Sequence, residues 1–143
     1  PTPPMRAVRN LASVFADAAA VEDTVALTFD IVALDPGRVL IPGRGDNQPL
    51  LERDQLALMP FRLAPSRFAI AAYVMSYDYR KPLSPMRYRV TIGGLPAGTG
   101  VQSFYDPIED AEAPVRVLNT SDGRLVVEIT VSDMPRMLIL GGD

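Results

Sequence analysis

The chain has 143 residues, of which 48% are hydrophobic and 22% charged, and its formal net charge is -3. That is the size and composition of one domain with ample core, and it lacks the dense basic footprint that nucleic-acid binding requires. Cysteine and histidine are both absent, which excludes thiol nucleophiles, disulfides, zinc sites built on those ligands and an imidazole base; zero cysteine leaves the compartment open.

In chain order, Pro1-Thr2-Pro3-Pro4 (residues 1–4) has linker composition and lacks the basic and apolar regions of a signal peptide. The first methionine is Met5, so the chain is expected to be a processed product or an excised piece. No stretch approaches the roughly 20 apolar residues that span a bilayer, and no membrane partner is expected. Residues 5–19 are predicted to be helical, because Val8, Leu11, Phe15 and Ala18 recur at helical spacing. Pro3 and Pro4 fit at or before its first turn, where a missing N–H is harmless. Arg6 and Arg9 lie at the wrong end for the helix dipole. The helix therefore depends on packing, and Val8, Leu11 and Phe15 are its candidate interface.

The period then changes. Val25, Leu27, Phe29 and Ile31 alternate with Ala26, Thr28, Asp30 and Val32, as in a half-buried strand. Residues 35–55 read as one long loop, opened by Asp35-Pro36-Gly37 and continued by Gly43, Gly45, Asp46 and Asn47. A short strand is expected over Leu56 to Leu58, ended before Pro60. Phe68 to Met75 is apolar on both faces and predicts a central strand; Asp78 to Pro85 is a connection. Met86 to Ile92, Val101 to Tyr105, Pro114 to Leu118, Leu125 to Val131 and Met137 to Leu140 complete the series. Ser121-Asp122-Gly123 marks a hairpin. Leu125, Val127, Ile129 and Val131 are expected to share one face. Connections this short suit antiparallel pairing. The prediction is an all-β fold, an antiparallel β-sandwich of seven or eight strands with one N-terminal helix, residues 5–143 forming a single domain.

Four segments carry a family resemblance. They are Ala7-Val8-Arg9-Asn10-Leu11 with Phe15-Ala16-Asp17, then Ala69 to Val74, then Tyr105-Asp106-Pro107-Ile108 with Pro114-Val115, and finally Leu125 to Ile139 with its Asp133-Met134-Pro135 turn. Together they resemble the β-sandwich that follows the catalytic barrel in retaining glycoside hydrolases of the barrel-fold clan. The resemblance implies a non-catalytic accessory domain that packs on a barrel, and it favours an extracytoplasmic setting. The barrel is absent here, so none of that clan's catalytic acids maps onto this chain.

Glycoside hydrolysis needs two carboxyl groups at a defined separation. Glu109, Asp110 and Glu112 are clustered, but a solvated acidic loop is the ordinary reading of such a run. The segment also lacks the alternating ligands and turn glycine of a calcium loop, and no cofactor is expected. A carbohydrate-binding module would stack aromatic rings on sugar faces. Tyr77 and Tyr79 would project from one side of an extended segment, with Asp78 and Arg80 beside them to bond hydroxyls; the ordinary alternative is a strand edge whose tyrosines cover core. Arg44-Gly45-Asp46 spells an adhesion tripeptide but is an ordinary glycine turn. Gly93-Gly94 and Gly98-x-Gly100 lack the Lys-Ser/Thr of a phosphate loop. The expected partners are thus a catalytic barrel or a second copy, with polysaccharide as the alternative ligand and a free-standing interaction or assembly domain as a third reading.

Overall fold

The computed structural model describes residues 3–16, 27–75 and 84–142. Helix α1 spans Pro3–Val14 and is followed by β1 (Thr28–Ala33), β2 (Val39–Ile41), β3 (Leu50–Leu51), β4 (Leu56–Ala64), β5 (Arg67–Val74) and β6 (Met86–Gly93). The remaining strands are β7 (Gly100–Asp106), β8 (Ala111–Glu112), β9 (Val115–Ser121), β10 (Arg124–Val131) and β11 (Arg136–Gly141). Among the described residues the fold is all-β with one α-helix, and every strand pairing is antiparallel.

The strands form a four-stranded sheet ordered β1-β6-β10-β9, a five-stranded sheet ordered β4-β5-β11-β7-β8, and the two-stranded ribbon β2-β3. Among the described residues there are eleven strands, where seven or eight were expected. The additions are β2, β3 and β8, each only two or three residues long. Residues 35–55 are therefore not one loop. They hold the ribbon and a 3-10 turn at Glu52–Asp54. Nor does Pro60 end a short strand. β4 runs through it, which an edge strand allows because the missing N–H faces no neighbour. The helix ends at Val14 among the described residues, and the predicted residues 17–19 lie outside them.

Alternation decides which side chains meet. Leu125, Val127, Ile129 and Val131 of β10 are buried together, as the sequence pattern predicted. They join Tyr88, Val90 and Ile92 of β6, Phe68, Ile70, Ala72 and Val74 of β5, and Phe104, Leu138 and Leu140 in one cluster. The inner faces of the two larger sheets thus share a single core. Burial of large apolar side chains, worth about 1.5–3 kcal/mol each, is the main force joining them.

A second cluster lies on the other side of the five-stranded sheet. There Leu63, Ala69, Met137 and Ile139 are buried beneath Leu11, Val14 and Phe15 of α1 and the turn after it. Phe15 meets Phe61 edge to face, with ring centroids 5.2 Å apart. The buried amide of Asn10 donates to Pro107 O at 2.7 Å and fixes the helix to the turn after β7. The helix stripe is therefore packed on its own sheet through Leu11 and Phe15, whereas Val8 points away and is 70% exposed.

Candidate functional site

One group of chemistry-bearing side chains gathers at one end of the five-stranded sheet, around the turn from Asp106 to Glu112. Asp106 leaves β7 and its Oδ1 accepts from the N–H groups of Ile108 and Glu109, at 3.0 and 3.1 Å. This is the side-chain-closed turn that aspartate favours. Its other oxygen meets Arg136 Nε at 3.3 Å, and Arg136 Nη1 donates to Thr130 O at 2.7 Å. Two of the segments that carry the family resemblance, the Asp106-Pro107 turn and the Asp133-Met134-Pro135-Arg136 turn, are thereby joined in space.

The three clustered acids have separate settings. Glu112 accepts from Ser103 Oγ and from the Phe104 N–H, the latter at 3.1 Å, so it holds β8 against β7. Asp110 accepts from the Tyr105 hydroxyl and takes a positive φ of 53°. Loss of solvation, and then the hydrogen bond to Asp110, push the Tyr105 hydroxyl up to about 12. Glu109 is exposed. Among the described residues no three acidic side chains converge as a cation site would require. Asp110 and Glu112 are tied to neighbours in the fold.

A cleft of about 380 Å³ lies beside this turn, between α1 and the sheet, lined by Val14 of the helix and by Arg67, Gln102, Ser103, Tyr105 and Ile139 of the sheet. The ribbon end of the molecule carries a second arrangement. Glu52 is buried, and its Oε2 accepts from Arg38 N and Arg38 Nε at 3.2 and 3.0 Å. This pair closes the ribbon against the core edge, where Tyr88 is fully buried. Burial first, and then the charge of Glu52, push the Tyr88 hydroxyl up to about 12. Arg44 and Asn47 close the ribbon tip through a bond of 3.0 Å, with Gly45 at φ 59°. The Arg44-Gly45-Asp46 tripeptide is thus placed in a glycine turn.

Tyr77, Asp78, Tyr79 and Arg80, the candidate carbohydrate-binding residues, lie outside the described residues. The bonds made by Asn10, by Arg136 and by the Arg38–Glu52 pair were not legible in the sequence. Asn10 bonds a residue 97 positions away, and no local pattern encodes that separation. No family model matches the chain, and no curated protein or solved structure is similar to it.

Proposed function

We propose that the chain is a non-catalytic accessory domain of a carbohydrate-active enzyme, a β-sandwich whose two larger sheets are the layers and which packs on and supports a catalytic barrel. The observation that carries this reading is the apolar surface beside α1. On the outer face of the five-stranded sheet Met59 and Phe61 are 46% and 39% exposed, and Met75, just past β5, is 42% exposed. Contiguous apolar surface in water tends to mark a contact with another protein, and a barrel wall would cover it. The structural engagement of Asp106, Asp110 and Glu112 supports the non-catalytic part of the reading.

The same surface serves a second reading, a free-standing interaction or assembly domain. Two experiments separate the possibilities. The coding frame upstream of Pro1 should continue into alternating strands and helices of a barrel; a complete gene without one leaves the assembly reading. The purified chain should hydrolyse no aryl glycoside or polysaccharide. Turnover that disappears in Glu109→Gln, Asp110→Asn or Glu112→Gln overturns the non-catalytic assignment.

A further inference from the structure

An open sheet edge offers a row of unpaired N–H and C=O groups, and proteins usually blunt it with proline, a bulge, a charged side chain or brevity. Three outer strands of the two large sheets show such devices. β4 contains Pro60 and a register shift between Arg62 and Ala64. β8 is two residues long. β9 carries Arg116, and its pairing with β10 shifts between Val126 and Val127. β1 shows only one of them, the exposed charge of Asp30. Its sequence, Thr28-Phe29-Asp30-Ile31-Val32-Ala33, has no proline, glycine or basic residue, and its register with β6 is unbroken. Among the described residues β6 is its only strand neighbour.

The free groups can be named. Leu34 N–H donates to Arg87 O at 2.9 Å, continuing the β1–β6 ladder. Residues that bond one neighbour alternate with residues that face the other way. Phe29, Ile31 and Ala33 therefore turn their amides and carbonyls to the open edge. Beside them runs a cleft of about 450 Å³, bounded by Ile31, Val32 and Ala33 on one wall and Arg53, Asp54 and Leu56 on the other. Ile31 falls on the side of the strand whose Phe29 and Ala33 pack against the core, yet it is 40% exposed.

We propose that β1 pairs antiparallel with β1 of a second copy, about a two-fold axis through Ile31, making one continuous sheet from the two four-stranded sheets. With that axis Phe29 lies opposite Ala33 of the other copy, Ile31 opposite Ile31, and Ala33 opposite Phe29. Each is a hydrogen-bonded pair that exchanges both bonds, so every free group of the three residues is satisfied by the strand's own pattern. Asp30 then faces Val32. Moving the axis to Asp30 would set the two carboxylates directly opposite, which is unfavourable. The Ile31 pair covers the side chain that the single chain leaves half in water. Such a contact is isologous and closes at two copies.

This inference stands apart from the accessory reading, because it uses the β1 edge and not the surface beside α1. The test is sedimentation of the chain over a concentration series, with Ile31→Lys and Met59→Glu variants. The unmutated chain should reach a dimer. Ile31→Lys should weaken association at least about tenfold, from two facing cations and a lost apolar pair, while Met59→Glu should leave it unchanged. A chain that stays monomeric at millimolar concentration, or a dimer lost in Met59→Glu and kept in Ile31→Lys, overturns the proposal. Should Ile31→Lys fail to fold, amide exchange of the unmutated chain decides. The Phe29, Ile31 and Ala33 amides should gain protection with concentration, and constant exchange at all three rejects the pairing.

Discussion

The outer faces of the two large sheets are built from the same alternation and reach opposite solutions. On the four-stranded sheet the outward positions include several charged side chains. Arg89 meets Glu128 at 2.9 Å, Arg116 approaches the same carboxylate at 3.9 Å, and Arg87 meets Asp35 at 2.9 Å. On the five-stranded sheet the outward positions include Leu63, Ala69, Met137 and Ile139, and α1 covers them. One face is finished by water and the other by protein. Period-2 alternation sorts residues into two sets, but the chemistry of the outward set decides whether a sheet needs a further layer.

The comparison breaks most sharply at Ile139. It is an outward residue, and Ile139→Ala should still cost about 3 kcal/mol, as a core truncation does, because α1 lies over it. A denaturant midpoint unchanged from the unmutated chain would mean that the helix does not stay docked. On the other sheet the corresponding stress point is the β9–β10 turn. Gly123 takes φ 76°, and a Cβ there would sit 3.2 Å from Leu95 O. Gly123→Val should destabilise by about 1–2 kcal/mol, read as a shifted midpoint with unchanged slope. No loss would show that this sheet tolerates another turn.

Alkaline titration samples both regions at once. Tyr88 in the shared core and Tyr105 on the helix side are both pushed from 10.0 up to about 12. Each folded hydroxyl resists ionisation more than its unfolded counterpart. The stability they confer is therefore complete below pH 10 and is lost as pH rises from 10 towards 12. Unfolding followed across that window should show the decline, and Tyr105→Phe should make it shallower. A pH-independent midpoint through the window would remove the basis for both shifts.

The smallest effect belongs to the charged face. Glu128 pairs with exposed arginines, so Glu128→Gln should change stability by less than about 1 kcal/mol, and by less still in high salt. A cost as large as that of Ile139→Ala would mean that the ion pairs, and not water, finish that face.

How much of this was legible in the sequence differs from strand to strand. Strand β10 could be read almost residue by residue, because strict alternation of Leu125, Val127, Ile129 and Val131 leaves one way to bury them. β5 was legible as an inner strand for a related reason. Its Phe68 to Val74 run is apolar on both faces, and both faces are in fact covered, by the shared core and by α1. The ribbon was not legible. β2 and β3 are too short to show a period, and Pro60 in β4 mimics a strand end until its edge position is known. The structural roles of the acids were half legible. Asp106-Pro107 announced a turn, but its bond to Arg136 spans 30 residues.

The sequence by itself determined the all-β class, the antiparallel pairing, the long strands and their buried faces, because alternation and turn chemistry act over a few neighbours and leave their mark there. Tertiary structure alone decided which outward face is covered, which strand is left with an open edge, and which carboxylates hold the fold together. Those outcomes depend on pairs of residues distant in the chain, and no local pattern carries the free energy of a contact that forms only when the sheets come together.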